Sequence, residues 1–225
     1  MCPDAQLRKV SQKYSFDASR LSLRECFQLG VMNIPILLMG KMLGINFVGQ
    51  TQVVSEVREF HSLSREELSA EASETLEPAN REVERLGGVF CFYYSLPEFP
   101  NSPVASVFVS PDRTICFENH FLVENQNPTV YTLLVSPRKT SGVVTTTNQR
   151  RTLQTAPEDL VEYRPKASVP QLLERHSKSL KLTPTTYLPL QSEAIQAWIL
   201  ENNQRTVSHF LKRGLIVPIP QPPET

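Results

Sequence analysis

The sequence predicts an α+β domain over residues 62–213, in which a five-stranded antiparallel meander curls around an amphipathic helix like a roll. Three observations predict this fold. An apolar stripe at helical spacing comes first, five short strand-like runs follow it closely, and two further helical patterns end the domain. An architecture of this kind does not by itself determine function.

The first helix is predicted to begin after Ser64, because Ser64 and Glu67 have the spacing of a capping box. Pro78 is expected to kink or split the helix, and the pair Gly87-Gly88 to end it. Its apolar positions recur every three or four residues: Leu68, Ala72, Leu76, Ala79, Val83 and Leu86. We expect the sheet to curl around this stripe.

Five runs rich in β-branched and aromatic residues predict the strands, at 89–96, 104–110, 114–123, 129–135 and 143–147. Their connections are short, whereas a parallel crossover needs a dozen or more residues, so consecutive strands are expected to be antiparallel neighbours. A polar loop is expected over 148–167.

Two helices are predicted after the sheet. The first opens at Ser168, where Ser-Val-Pro-Gln is typical of a helix start. The second is predicted over about 191–213, with Gly214 placed to cap it. Its apolar positions are Ile195, Trp198, Ile199 and Phe210. The remaining segment, 214–225, is rich in proline and is expected to be an extended tail.

The N-terminal part is predicted to consist of a polar leader, 1–26, and an apolar helix, 27–50. The apolar run 27–48 is long enough to cross the roughly 30 Å hydrocarbon core of a bilayer. Lys41 opposes this, because a lysine at mid-membrane costs about 3 kcal/mol. Two interpretations stay open, since the segment either associates with a membrane or packs on the domain.

Composition argues against several classes of function. Basic and acidic residues both number 23, so no net field attracts nucleic acid, and we expect none as a partner. The four cysteines show no CxxC spacing, and reduced thiols in a cytosolic setting are the plainest interpretation. A Cys91–Cys116 bridge stays open. Signatures for dinucleotides, calcium and zinc helices are absent, and we expect no cofactor and no metal site.

One predicted strand carries the only grouping that suggests chemistry. Alternation along 114–123 places Cys116, Glu118 and His120 on one face. A thiol, a carboxylate and an imidazole could supply a nucleophile with its base, so the three residues are candidates for catalysis. The same alternation equally describes the wet face of a half-buried sheet, and same-face neighbours lie about 6.5–7 Å apart.

A cavity between the sheet and the first helix is a second candidate site. Asn119 is polar on the face expected to be apolar, and it would either satisfy a backbone group or bind a ligand. The candidate ligand-binding residues are Phe90, Phe92, Tyr94, Phe117, Asn119 and Phe121.

Three functions follow from these patterns. The first, favoured by the lack of catalytic motifs, is a non-catalytic interaction domain that binds an unknown protein partner, or a membrane through residues 27–48. Its location would be the cytoplasm or a membrane surface. The second is a small-molecule binding module that uses the cavity described above. The third is a hydrolase or transferase that depends on Cys116 and His120.

Overall fold

In the computed structural model of the chain, the described residues are 13–17, 20–22, 24–25, 48–55, 61–95, 104–124, 127–150, 154–189 and 191–218. The strands are β1 (Lys13–Asp17), β2 (Val48–Ser55), β3 (His61–Leu63), β4 (Val89–Ser95), β5 (Val104–Val109), β6 (Cys116–Glu124), β7 (Asn127–Pro137), β8 (Val143–Thr147), β9 (Leu160–Tyr163) and β10 (Ile216–Pro218). The helices are α1 (Ala70–Arg85), α2 (Val169–Leu180) and α3 (Ser192–Lys212).

The main sheet has seven strands, which lie side by side in chain order from β3 to β9. The fold is therefore α+β with a mostly antiparallel sheet, as predicted. The five predicted strands are β4 to β8, but the predicted count of five is too low because β3 and β9 extend the sheet at its two edges. The roll-like curvature is not confirmed.

Strand β9 is the one member of this sheet that pairs in parallel, with β8. It lies inside the segment predicted as a polar loop. The connection 148–159 is about a dozen residues long, which is enough for a parallel crossover. A strand of only four residues, Leu160–Tyr163, carries too little alternation to stand out in the sequence.

Helices cover both faces of this sheet. On one face, which we call the α1 face, Val83 of α1 and Leu172 of α2 pack against strand residues Phe108, Phe117 and Leu134. On the opposite face, the α3 face, Ile195 and Ile199 of α3 pack against Phe92, Tyr94, Val107, Val109, Cys116 and Leu188. Each face consequently forms its own core.

Helix α1 begins later than the sequence predicts. Ser64 and Glu67 do form a capping box, but it opens a single 3₁₀ turn over Arg65–Glu67. The α-helix starts after Ser69, whose hydroxyl accepts from the Ala72 N–H at 3.1 Å. Pro78 lies within α1 without dividing it.

Two glycines end α1. Gly87 has a φ of +88°, a left-handed conformation that favours glycine. A Cβ added at Gly88 would lie 2.4 Å from Cγ1 of Val83, so this position accepts no side chain unless Val83 moves. The chain can therefore turn directly from the helix into β4.

A second, three-stranded sheet brings together segments that are far apart in the sequence. Strand β1 pairs with both β2 and β10, and all pairings are antiparallel. The predicted leader thus contributes β1, and the predicted tail contributes β10. The adjoining residues Leu21, Leu215 and Ile216 are buried.

A buried ion pair ties this N-terminal region to the end of α3. Both carboxylate oxygens of Glu25 accept from the Arg213 guanidinium, at 2.9 and 2.8 Å. The Gln154 N–H donates to the same carboxylate at 2.6 Å. Burial alone would raise the pKa of Glu25, but hydrogen bonds from Arg213, Gln154 and Ser22 outweigh it and lower the pKa from 4.5 to about 2.

The apolar run 27–48 lies outside the described residues except for its last residue, Val48. Both interpretations of that run therefore stay predictions. Among the helices that the structure describes, none is long and apolar enough to cross a bilayer.

Candidate functional site

A cleft of about 420 Å³ lies between the α3 face of the sheet and the C-terminal half of α3. The sheet contributes residues from β4 and from β6 to β9, and the helix contributes residues from Ile199 to Phe210. The segment that leads into β9 adds Thr155 and Asp159.

The cleft forms where the apolar stripe of α3 ends. Ile195 and Ile199, in the first half of the helix, are buried against the sheet. At the next positions with the same helical spacing, the chain has Asn202 and Thr206, which line the cleft. These side chains are shorter and more polar than isoleucine. The helix and the sheet therefore stay apart here, while they remain in contact further toward the helix N-terminus.

Strand register sets which residues meet in the cleft. One row across the sheet contains Tyr94, Ala105, His120 and Tyr131. The neighbouring row contains Phe92, Val107, Glu118, Leu133, Thr147 and Tyr163. Tyr94 and Glu118 are thus diagonal neighbours with β5 between them, and the small Ala105 side chain leaves room for the tyrosine ring.

These rows assemble a polar group at the sheet surface. The Tyr94 hydroxyl donates to Oε2 of Glu118 at 3.0 Å. Nε2 of His120 lies 3.1 Å from the same oxygen. The Tyr131 ring stacks on the His120 imidazole, with centroids 4.9 Å apart and planes inclined by 4°. Tyr94 and Tyr131 therefore hold the Glu118–His120 pair in one arrangement.

Tyr94 is held in its neutral, hydrogen-donating form. Burial, followed by the nearby Glu118 carboxylate, raises the pKa of the Tyr94 hydroxyl well above its usual value of 10. Glu118 is itself buried, with 6% of its surface exposed. Within the described part of the chain, both hydrogen bonds to this carboxylate go to Oε2. Glu118 lines the cleft, and no described residue donates to its Oε1.

An ion pair lies on another side of the cleft. Nη1 of Arg205 is 2.8 Å from Oδ1 of Asp159, and that oxygen also accepts from the Val143 N–H at 3.0 Å. Nη2 of Arg205 donates to Asn202 at 3.1 Å. The pair links α3 to the chain just before β9, so it fixes the distance between two sides of the cleft.

The three catalytic candidates share one strand face, as the alternation predicts, but that face is not wet. Cys116 is fully buried in the α3-face core, outside the cleft, and burial raises the pKa of its thiol well above 9. Glu118 and His120 line the cleft. The structure thus brings two of the three together at the cleft and leaves the thiol apart.

Cys91 and Cys116 are both free thiols. They lie on β4 and β6, which are separated by β5. Two strand spacings amount to about 9.6 Å, whereas a disulfide needs Cα atoms within about 7 Å. The bridge that the sequence left open would require the sheet to come apart.

The six candidate ligand-binding residues do not share one cavity. Phe92 and Tyr94 lie on the α3 face, and Tyr94 is the one that lines the cleft. Phe117, Asn119 and Phe121 lie on the α1 face. Phe90 also points to that side, because a bulge between Phe90 and Phe92 shifts the register of β4, and its ring meets Phe108 at 5.4 Å.

On the α1 face, side chains of the protein itself satisfy Asn119. Its amide donates to Oδ1 of Asn80 at 2.9 Å, and its carbonyl oxygen accepts from Thr132 at 2.7 Å. Ser106 donates to the same Asn80 oxygen at 2.5 Å. The neighbouring Phe121 ring packs on Leu76. The hydrogen-bond partners of Asn119 are thus side chains and not the backbone group that the sequence suggested.

A second histidine group lies buried on the α1 face. His176 contacts Ser136 through Nε2 at 2.9 Å and Thr146 through Nδ1 at 3.0 Å. The Ser136 hydroxyl donates to the Thr114 carbonyl at 2.5 Å, so Nε2 of His176 donates to Ser136. Burial lowers the pKa of His176 from 6.5 to about 4. Because His176 and Ser136 are 0% exposed, this pairing of serine and histidine has no access to a substrate.

Sequence reasoning missed Tyr131, Asp159, Asn202 and Arg205. For Asn202 and Arg205, the available signal is the polar pair Asn202-Asn203, where the apolar stripe of Ile195 and Ile199 ends. Among the described residues, no three His, Cys, Asp or Glu side chains are placed to hold a metal ion.

Models of known protein families, curated proteins and solved structures were all compared with the chain, and none matches it.

Proposed function

We propose that this protein is a binding module that takes a small molecule into the cleft between the sheet and α3. The observation that carries the proposal is the cleft itself, which combines apolar walls with a few convergent polar groups. Its volume of about 420 Å³ falls within the range of roughly 300–1,000 Å³ typical of small-molecule sites.

The polar groups support this function because they are pre-organised. Tyr94 and His120 hold Oε2 of Glu118 in place, and the Arg205–Asp159 pair holds the opposite side. Leu133, together with other aliphatic side chains from β7, β8 and β9, supplies apolar surface between them. A ligand that enters such a site loses little free energy to rearrangement of the protein.

The proposal keeps the sequence-based idea of a binding module but moves the site to the other face of the sheet. A cysteine-dependent reaction receives less support, since Cys116 is buried away from the cleft with its thiol pKa raised. Association of residues 27–48 with a membrane or a protein partner remains a separate proposal, as does the location of the protein.

A cleft-filling substitution tests the proposed site. Val161 and Leu160 are neighbours on β9, but Val161 lines the cleft whereas Leu160 is 45% exposed. We expect Val161→Phe to abolish binding of small-molecule fragments that shift the amide NMR signals of Glu118 and His120 in the unmodified protein. Leu160→Phe, the matched control, should leave that binding unchanged.

Thermal unfolding of both variants would establish that they remain folded. The proposal fails if a diverse fragment library produces no shifts around the cleft. It also fails if fragments bind the Val161→Phe variant as tightly as the unmodified protein, because their site would then lie elsewhere.

A further inference from the structure

We infer that the ligand of this cleft is a compact amine, whose ammonium group binds Oε1 of Glu118 while an apolar body fills the space beside α3. The inference rests on the proposed function and names the chemical class of its ligand. It is carried by charge, by hydrogen-bond geometry and by the aromatic side chains of the cleft.

Apart from His120, whose imidazole pairs with Glu118, the charged side chains that line the cleft do not balance. Glu118 and Asp159 supply two carboxylates, and Arg205 supplies one guanidinium. Asp159 balances the charge of that guanidinium across 2.8 Å, although the buried Nη1 makes no hydrogen bond within the described residues. Within the described ranges, no lysine or arginine pairs with Glu118, whose partners are a neutral tyrosine and an imidazole. A cationic ligand would supply the missing countercharge.

The hydrogen-bond geometry specifies where the cation binds. Oε2 of Glu118 already accepts from Tyr94 and lies 3.1 Å from His120. Glu118 lines the cleft, and its Oε1 receives no hydrogen bond from the described residues. A carboxylate oxygen only accepts, so a ligand must bring a donor to this point. A buried carboxylate gains most when that donor carries a positive charge.

Aromatic side chains of the cleft favour the same class of ligand. Tyr94, Tyr131, Tyr163 and Phe210 all line the cleft. The faces of such rings attract ammonium groups, and their apolar surface accommodates a hydrocarbon body. A carboxylate or phosphate ligand would instead meet two carboxylates and could bond to Arg205 only in competition with Asp159. The volume, near the low end for small-molecule sites, favours a compact molecule.

Three probes of nearly equal shape test the inference: phenethylamine, 2-phenylethanol and phenylacetate. Each is titrated into the full-length protein at pH 8, where an alkylammonium group stays protonated and a free imidazole is neutral. Binding is followed through the amide NMR signals of Glu118 and His120. We expect the amine to bind about tenfold or more tightly than the alcohol, and the acid to bind most weakly.

Glu118→Gln is the variant that removes the charge while keeping the shape. It should reduce the affinity for phenethylamine about tenfold or more and leave that for 2-phenylethanol within about twofold. Glu162→Gln is the matched control, because Glu162 lies on β9, pairs with Arg164 and Arg175, and does not line the cleft. The control should leave both affinities unchanged.

The outcomes separate the two proposals. Equal binding of amine and alcohol, or tighter binding of the acid, would overturn the amine inference and leave the binding cleft standing. Binding of none of the three probes, nor of any fragment, would overturn both. Since the comparison of probes uses the unmodified protein, it decides the question even if Glu118→Gln does not fold.

Discussion

Buried polar side chains on the two faces of the seven-stranded sheet differ in how fully the protein supplies their hydrogen-bond partners. On the α1 face, Asn119 bonds to Asn80 and Thr132, and His176 bonds to Ser136 and Thr146. On the α3 face, Glu118 lines the cleft, and its carboxylate has hydrogen-bond partners among the described residues at one oxygen only. Adjacent residues of one strand, Glu118 and Asn119, thus belong to different kinds of surroundings.

This difference distinguishes polar groups that stabilise the fold from polar groups that can bind a ligand. A buried polar group whose partners all come from the protein helps to specify the fold, and its loss is costly because the partners remain buried. A group that is only partly satisfied contributes less to stability and remains available to a ligand. We therefore expect substitutions on the α1 face to lower the free energy of unfolding, and those at the cleft to affect binding first.

The largest expected effect comes from truncating a ring on the α1 face. Phe117 is 2% exposed and packs with Val83 and Leu172, so Phe117→Ala should lower the free energy of unfolding by about 4 kcal/mol. Leu133→Ala, at the cleft, should cost about 1 kcal/mol, because the side chain already borders open space. Urea denaturation measures both losses in the free energy of unfolding. Equal losses would contradict the proposed difference between the two faces of the sheet.

The next effect is a pH dependence that originates on the α1 face. His176 has its pKa lowered to about 4 from 6.5, so the unfolded chain binds a proton there more readily than the folded one. Its contribution to stability is present above pH 6.5 and is lost as the pH falls toward 4, about 3 kcal/mol in all.

Unfolding free energies measured from pH 7.5 to 5 check this dependence. The decline should be smaller in His176→Leu than in the unmodified protein. The interval lies above the range in which Glu25, with a pKa lowered to about 2, begins to lose its own contribution. A decline of the same size in the variant would show that protonation of His176 does not drive it.

The smallest effect is expected from neighbours on β6. Asn119→Leu leaves the buried Thr132 hydroxyl without its acceptor and should cost about 2 kcal/mol. Glu118→Gln keeps an acceptor for Tyr94 and should cost less than about 1 kcal/mol. Chemical denaturation of the two single variants measures the loss in free energy of unfolding. A larger loss for Glu118→Gln than for Asn119→Leu would contradict the proposed difference between the two faces.

Patterns within single segments were sufficient to predict much of this molecule. The stripe of α1, the five central strands, and the alternation that separates Glu118 from Asn119 all follow from local periodicity. The helix patterns did not reveal that α3 covers the face carrying Glu118, so that face was interpreted as wet. Which face of the sheet a helix covers depends on long-range packing, and the periodicity of a single segment carries no information about it.

The elements that sequence reasoning missed, β1, β10 and the bulge in β4, also depend on long-range packing. Strands β1 and β10 are five and three residues long and pair across nearly the whole chain. The Tyr94–Glu118 hydrogen bond depends on the bulge in β4, since a shift of one residue would place the tyrosine on the other face. Neither distant pairing nor a bulge has a signal in a single sequence of this kind.

The Glu25–Arg213 pair has a consequence for how the molecule can be divided. A fragment that starts at residue 62, where patterning alone draws the domain boundary, would lack the Glu25 carboxylate and would leave the Arg213 guanidinium without its ion-pair partner. It would also free the Gln154 N–H, next to the segment that borders the ligand site. Glu25 thus anchors the chain at Gln154, and removing it would weaken the support of the segment that borders the cleft.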